Sequence, residues 1–321
     1  PLPWFAAASA VPLLALLARW KSGERAAVAA FLIGALAMFV YLIARIPHDV
    51  GGGDMLQIID FAARDLLNGK NPFQPYLTVS GKEVPFGYWP GIWLPYVPLV
   101  ALGVDMRVLN LCLFGLLLLL FWKATGGGER GARILSIVLL PFLLSSQILQ
   151  MIISGHLWLY WLLVSAALWF VTGKRYYAAA VLLGLCLATR PTVLFVAGPV
   201  FAYVWSRESL GLSLRCGVIA LGVALALNAP FYFIYGDDFV RNSYGALAKI
   251  SHDLTHFSLL GILQAVGLWS LGKPIQVVIA LAAMGLIMFR RSLTPAQFVT
   301  LAGLIYIWEV LFASYATRYT Y

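Results

Sequence analysis

The sequence predicts an all-α, polytopic transmembrane protein, and its composition, apolar runs and charge distribution carry this prediction. Hydrophobic residues make up 62% of the 321 residues and charged residues only 11%, against about 25% charged residues in soluble domains. Several apolar runs approach the roughly 20 residues that an α-helix needs to cross a bilayer. Lysines and arginines cluster between those runs, so the net charge of +9 indicates basic cytoplasmic loops rather than nucleic-acid binding.

Taken in order, the apolar runs predict about nine or ten spans within a single transmembrane domain over residues 1–321. We expect that one run of the pair 257–272 and 274–289 does not cross fully, and choose the first, because the basic pair at 290–291 should then be cytoplasmic. The apolar runs that define the spans are 2–18, 26–43, 104–122, 134–149, 155–171, 177–188, 193–205, 216–235, 257–272, 274–289 and 296–312.

Two polar intervals lie on the side opposite the basic clusters, so both are predicted to be extracytoplasmic loops. They cover 47–90 and 236–256. In the first loop, a helix of about three turns is expected to follow Asp54 and to end at Asn68-Gly69.

The apolar run 89–103 follows the first loop and is short for a span. It contains three prolines, and each proline removes a helical hydrogen bond. We therefore predict a broken, re-entrant segment that dips into the outer leaflet, where protein or a wet cavity satisfies its backbone.

Short motifs in a fixed order connect these segments. An Asp after an early span leads through a helix to an N-G-x-N-P-F turn, and a Tyr-Trp-Pro segment, a Gly-His pair and an Arg-Pro-Thr turn follow. The matching positions are Asp54, Asn68-Gly69-Lys70-Asn71-Pro72-Phe73, Tyr88-Trp89-Pro90, Gly155-His156, Arg190-Pro191-Thr192 and, less closely, His256-Phe257-Ser258-Leu259.

This order resembles the GT-C superfamily of membrane glycosyltransferases, above all the mannosyltransferases that use polyprenyl-phosphate mannose. The resemblance covers residues 26–321. Trp89 stands where Pro is common in such enzymes, His156 where Gln is common, and Arg190 where Lys is common. These departures leave the sugar and the acceptor open.

The resemblance implies a multi-pass hexosyltransferase of the plasma (inner) membrane. It would move mannose, or another hexose or pentose, from a polyprenyl-phosphate donor to a lipid or glycan acceptor on the extracytoplasmic side. Membrane lipids and subunits of a membrane complex are the further partners it implies. No cofactor is expected, and no residue spacing argues for a metal cage, although a divalent metal stays an open alternative.

The resemblance implies Asp54 as the general base that takes a proton from the acceptor hydroxyl. An inverting displacement needs one such carboxylate, because the phosphate is already a leaving group. The competing interpretation of Asp54 is a helix N-cap, a position that favours Asp. Asp60 and Arg64, four residues apart, are expected to form a surface ion pair.

The predicted substrate-binding residues are cations and aromatics near the outer side. Arg190 would stabilise the lipid phosphate, since an Arg between two short apolar helices is costly in lipid; the alternative is an arginine that snorkels to the interface. The aromatic candidates would stack on sugar or join the interfacial aromatic belt. The remaining candidates, which would contact phosphate or acceptor or be solvated loop residues, are His156, Lys249, His252, His256 and Arg318, and the aromatic pair is Tyr88 and Trp89.

Two other function classes remain open at this stage. A transporter would be expected to show matching broken helices in its two halves, and the sequence shows no such internal symmetry. A non-catalytic structural subunit of a membrane complex would tolerate the loss of Asp54 and Arg190, and the sequence alone does not separate it from an enzyme.

Overall fold

The structure is a computed structural model that describes residues 55–78, 83–124, 157–190, 193–245, 272–290 and 293–312, together with a few isolated positions between them. The predicted spans 2–18 and 134–149 lie outside the described residues, as do nearly all of 26–43 and of 257–272. The described part is mostly helical, as the composition predicts.

Ten α-helices are described, and we number them in chain order. Three of them belong to the first polar interval and the segment after it: α1 (Met55–Leu67), α2 (Pro90–Trp93) and α3 (Val97–Ala101). The others are α4 (Arg107–Ala124), α5 (Trp158–Thr172), α6 (Tyr176–Leu187), α7 (Leu194–Arg207), α8 (Leu210–Val240), α9 (Gly272–Phe289) and α10 (Pro295–Phe312).

The first polar interval folds largely as its sequence predicts. Helix α1 ends at Leu67, and Gly69 follows with a φ of 69°, the left-handed conformation that commonly ends helices. The all-α prediction misses one element, a small antiparallel hairpin in which β1 (Pro75–Leu77) pairs with β2 (Glu83–Pro85).

The backbone of 89–103 is broken, as its prolines predict. A 3₁₀ turn, Leu94–Tyr96, separates α2 from α3. Prolines lie in the first turns of α2 and α3, where the missing N–H has no helical partner to lose. The prolines thus divide the run into short helices rather than kinking one long helix.

The predicted loop 236–256 starts too early. Helix α8 continues to Val240, and a π-helix, Arg241–Gly245, extends it. Gly236 has a φ of 47° and a ψ of −117° inside the helical run, a conformation open mainly to glycine. The chain kinks at this glycine and then resumes helical geometry, so the first polar residues of the interval are helical.

Two helices are long and apolar enough to cross a membrane among the residues that the structure describes. They are Arg107–Ala124 and the run Leu210–Ser243, which includes α8. Along α8, the exposed residues Leu214, Val218, Leu221 and Leu225 form an apolar stripe at helical spacing.

The described residues group into two compact units. The first includes residues 55–61 and 96–124 and the start of α5 to residue 162. Its core packs Leu113, Phe114 and Leu117 of α4 against Trp158 of α5. The rings of Phe114 and Trp158 meet edge to face at 5.0 Å between centroids, a favoured aromatic geometry.

A buried asparagine joins three parts of this first unit. Asn110 of α4 is fully buried, accepts a hydrogen bond from the Tyr96 hydroxyl at 2.6 Å and donates one to the Gly155 carbonyl oxygen at 2.7 Å. The end of the broken segment is therefore tied to the residue that precedes His156.

The second unit includes residues 62–77 and 83–95 and the chain from residue 163 onward. Within it, α6 packs directly against α8. A Cβ atom on Gly184 of α6 would stand 2.5 Å from the Ala220 carbonyl oxygen of α8, so the two backbones approach each other as closely as a glycine allows.

One end of this second unit carries basic residues, and we call it the basic end; its described cations are Lys174, Arg175, Arg207 and Arg290. The Tyr176 hydroxyl donates to Glu208 at 2.9 Å, which joins the start of α6 to the end of α7. The Arg207 guanidinium donates to the Leu293 carbonyl oxygen in the turn before α10. Three basic turns that are far apart in sequence therefore meet.

Candidate functional site

Asn71 builds the turn that follows α1. Its Oδ1 accepts a hydrogen bond from the Phe73 N–H at 2.9 Å, a side-chain-to-backbone bond two residues on that is typical of Asn in turns. Its Nδ2 donates to Asp238 Oδ2 at 2.8 Å, across 167 residues of sequence. Both ends of the amide are therefore used, one to shape the turn and one to anchor it.

The start of the second polar interval holds this turn from two sides. Asp238, near the end of α8, also accepts a hydrogen bond from the Arg241 guanidinium at 2.6 Å. Asn242 in the π-helix donates through Nδ2 to the Phe73 carbonyl oxygen at 2.7 Å. Side-chain hydrogen bonds therefore join the turn at 71–73 of the first polar interval to the described start of the second one.

Phe73 lies at the centre of an aromatic cluster beneath the turn. Its ring is 1% exposed, and the neighbouring rings stand 4.9 to 6.1 Å away between centroids. Edge-to-face contacts at such distances add to the stability that burial provides. The rings in contact with Phe73 belong to Phe86, Trp93, Phe231, Tyr235 and Phe239.

Tyr76 in β1 completes the folded loop. Its hydroxyl donates to Asp65 Oδ2 of α1 and contacts the Pro72 carbonyl oxygen, each at 2.9 Å. Burial raises the pKa of this hydroxyl, and the hydrogen bond from Tyr76 to Asp65 raises it further. The hydroxyl therefore stays protonated and remains a donor across the physiological range.

The Tyr88-Trp89-Pro90 motif joins two further parts of the chain. Trp89 is 7% exposed, and its Nε1–H donates to the Ser243 carbonyl oxygen at 3.3 Å. Tyr88 is half-buried, and its ring meets Phe86 at 5.5 Å. The structure thus gives Trp89 a protein partner and leaves part of Tyr88 accessible.

Arg190 lies two residues after Ala188, which contacts the residue that follows this motif. The Gly91 N–H in α2 donates to the Ala188 carbonyl oxygen at 3.0 Å. The Thr189 hydroxyl then donates to the Cys186 carbonyl oxygen at 2.6 Å, and the Arg190 N–H donates to the same carbonyl at 2.9 Å. The end of α6 is thereby closed, and Arg190 is half-buried in the turn that follows.

We call this cluster the motif end of the second unit. Within the described residues it joins the N-P-F turn, the Trp89-to-Gly91 segment, the turn at Arg190 and the residues after the kink in α8. Its members are Asn71, Phe73, Trp89, Gly91, Ala188, Arg190, Asp238, Asn242 and Ser243.

Most of the other predicted site residues fall outside the described part. Asp54, the predicted base, lies just before α1, and the remaining ones are His156, Lys249, His252, His256 and Arg318.

The predicted surface pair of Asp60 and Arg64 needs correction, because Asp60 is only 8% exposed whereas Arg64 is exposed. Asp60 lies four residues after Leu56 and three before Ala63, and both of these are buried. Residues at such spacings share one face of a helix. Asp60 therefore belongs to the buried face of α1 rather than to the surface on which the sequence predicts it.

Sequence reasoning missed Asp238 and Asn242 as parts of this site. Both residues lie in the interval 236–256, whose polarity predicts a loop and no site residue at these two positions. Kinked helical geometry after Gly236 could have been suspected from the Gly-Asp-Asp sequence, but the contact with Asn71 has no local signal. No group of three or more His, Cys, Asp and Glu side chains arranged to hold a metal occurs among the residues that the structure describes.

We compared the chain with known proteins. The chain matches no family model, no curated protein and no solved structure.

Proposed function

We propose that this chain is an integral-membrane glycosyltransferase that moves a sugar from a polyprenyl-phosphate donor to a lipid or glycan acceptor on the extracytoplasmic side. One observation carries the proposal. Three of the motifs on which the resemblance to GT-C enzymes rests are distant in sequence, and described residues within or directly beside them, at 71–73, 89–91 and 188–190, come together at the motif end.

The membrane part of the proposal is supported by α4 and α8, which are long and apolar enough to span. The exposed stripe of Leu214, Val218, Leu221 and Leu225 on α8 suits contact with lipid chains. The basic end agrees with a cytoplasmic face under the positive-inside rule. The motif end lies at the other ends of α6 and α8, as an extracytoplasmic site requires.

The proposed reaction is a single displacement. Asp54 takes the proton from the acceptor hydroxyl as its oxygen forms a bond to the anomeric carbon of the sugar. The bond between that carbon and the phosphate oxygen breaks, and the lipid phosphate leaves with both electrons. Arg190 neutralises the charge that develops on the phosphate, and Asp54 later releases its proton to solvent.

Arg190 fits this role chemically. Arginine binds phosphate through a planar, permanently charged fork. Within the described part of the chain, only the backbone of Arg190 makes hydrogen bonds, so its guanidinium is not engaged by another described residue.

The test is sugar transfer by the purified full chain in detergent, with a panel of polyprenyl-phosphate sugars as donors. Asp54→Asn keeps the capping ability of the side chain and removes the base, so activity should fall about a hundredfold or more. Arg190→Ala should weaken both donor binding and turnover, while Arg215→Ala, at an exposed arginine in the first turns of α8, serves as the charge control.

Full activity of a folded Asp54→Asn variant would exclude Asp54 as the base. Absence of transfer by the wild type with every donor would favour the structural-subunit alternative. In that case Asp54→Asn and Arg190→Ala should leave assembly with partner subunits unchanged.

A further inference from the structure

We propose that Asp238 is a positioning residue for the site, because it fixes Asn71 and thereby the conformation of the Asn71-Pro72-Phe73 turn. The kinetic consequence rests on the proposed function, but the structural consequence does not. The two are therefore measured separately below.

The Asn71 amide has one orientation in this turn. Oδ1 accepts from the Phe73 N–H at 2.9 Å, so Nδ2 must point away from the turn, and it meets Asp238 Oδ2 at 2.8 Å. An amide donor to an ionised carboxylate is a charge-assisted hydrogen bond, about twice as strong as a neutral one.

Arg241 holds the Asp238 carboxylate in place. Its other oxygen accepts from the Arg241 guanidinium at 2.6 Å, one turn further along the chain. The Arg241 side chain is 73% exposed and that of Asp238 is 42% exposed. The ion pair itself is thus worth little in stability, and its effect is to orient the carboxylate toward Asn71.

The turn has a second contact that does not depend on Asp238. Asn242 donates to the Phe73 carbonyl oxygen at 2.7 Å, and the ring of Phe73 is buried among aromatics. Loss of the Asn71–Asp238 bond should therefore loosen the turn without unfolding the protein. Such a change alters positioning rather than stability.

Swapping the residues at positions 71 and 238 tests the contact, because the swapped pair can still form a hydrogen bond. In Asn71→Asp, the new carboxylate still accepts from the Phe73 N–H, but its second oxygen faces Asp238 and repels it. When Asn71→Asp is combined with Asp238→Asn, the amide introduced at position 238 can donate to the carboxylate at position 71 and accept from Arg241. The double variant keeps all three hydrogen bonds, with donor and acceptor exchanged only in the bond between positions 71 and 238, and its net charge is that of the wild type.

The structural measurement is hydrogen exchange of the peptide containing Phe73 in the full chain in detergent. It is made near neutral pH. Asn71→Asp should speed exchange of this peptide about tenfold, the scale of one lost hydrogen bond. The double variant should restore wild-type protection. Asp237→Asn, which changes the charge next to Asp238 at an exposed side chain, should leave exchange unchanged.

The kinetic measurement follows sugar transfer by the same variants. Asn71→Asp should lower kcat about tenfold to a hundredfold, the scale of a displaced catalytic geometry, with little change in KM for the donor or in the thermal unfolding midpoint. The double variant should recover most of kcat. A general loss of stability would instead lower the exchange protection, kcat and the thermal unfolding midpoint of both the single and the double variant.

The two hypotheses fail in different ways. Wild-type exchange in Asn71→Asp, or no recovery of protection in the double variant, would overturn the role of Asp238 whatever the protein's activity. An active wild type whose kcat does not change in Asn71→Asp would also overturn it and leave the proposed function standing. An inactive wild type with the expected exchange pattern would refute the transferase and retain the role of Asp238 in holding the turn.

Discussion

The Gly91 N–H donates a hydrogen bond to the Ala188 carbonyl oxygen across 3.0 Å, and a Cβ atom on Gly91 would stand 2.7 Å from that same oxygen. The contact joins the first helix of the broken segment to the end of α6. It exists only because residue 91 has no side chain, so it can be tested by adding one carbon atom.

Replacement of Gly91 by Ala should therefore move α2 away from α6. We expect a loss of about 1–3 kcal/mol in the free energy of unfolding, the usual cost of overpacking, measured by denaturant titration in detergent. Gly217→Ala is the matched control, because a Cβ atom at that helical position meets nothing within 4 Å and should stabilise by about 0.5–1 kcal/mol. Equal effects of the two substitutions would show that the close contact is absent in solution.

The close approach of α6 and α8 gives a second prediction. A Cβ atom on Gly184 would stand 2.5 Å from the Ala220 carbonyl oxygen and 2.7 Å from Val223 Cβ, and neither atom can rotate away. Gly184→Ala should lower the thermal unfolding midpoint and destabilise by about 1–3 kcal/mol. Gly222→Ala on α8, with open space around its Cβ, should not, and a midpoint for Gly184→Ala at or above the wild-type value would contradict this packing.

The buried amide of Asn110 supports a third prediction. Asn110→Ala leaves the Tyr96 hydroxyl and the Gly155 carbonyl oxygen without this partner, and each such group costs about 1–3 kcal/mol when buried. Tyr96→Phe removes only one donor and should cost less.

The combination of Asn110→Ala with Tyr96→Phe checks the coupling between these two residues. The destabilisation of the double variant should be smaller than the sum of the single effects, because the Tyr96 hydroxyl is no longer left without its partner. Strict additivity in a double-mutant cycle of unfolding free energies would show that the two side chains do not interact.

Membrane topology gives the fourth prediction. Single cysteines at Lys70 and Glu83, both exposed in the first polar interval, should react with an impermeant thiol reagent added outside intact cells. Cysteines at Lys174 and Arg290 of the basic end should react only after permeabilisation. The background needs Cys112→Ala, since Cys112 is exposed whereas Cys186 and Cys216 are buried.

Labelling of the Lys70 and Lys174 positions from the same side would contradict the proposed orientation. The basic end could instead be labelled from outside and the first polar interval only after permeabilisation. That result would preserve the helix arrangement and place the motif end in the cytoplasm. That second outcome would conflict with a donor that is used outside.

Local sequence signals predicted the helices well because hydrophobic runs and helix-ending residues act over a few positions. The end of α1 at Leu67 and the division of 89–103 follow directly from Asn68-Gly69 and the prolines. The predicted boundary at 236 is wrong because the polar residues after Gly236 remain helical: this glycine allows a kink, and the helix resumes after it.

The sequence predicted individual residues of the candidate site but not the long-range contacts between them. Arg190 and Asn71 were singled out by their motifs, but the bond from Asn71 to Asp238 spans 167 positions. Such a pairing depends on how the helices pack and carries no periodic or local signature. Likewise, the Trp89 side chain is buried with the Ser243 carbonyl oxygen as its partner, which no pattern around residue 89 indicates.

The directions of α7 and α8 determine whether Arg190 and Asp238, two members of the motif end, lie on the same side of a membrane. Helix α7 starts beside Arg190 and reaches the basic end at Arg207, and α8 returns from Leu210 to Asp238. If both helices cross the bilayer, the chain between Arg190 and Asp238 crosses it twice. An even number of crossings puts both residues in the same compartment, whichever compartment that is, so any single reporter placed beside either residue also fixes the location of the other.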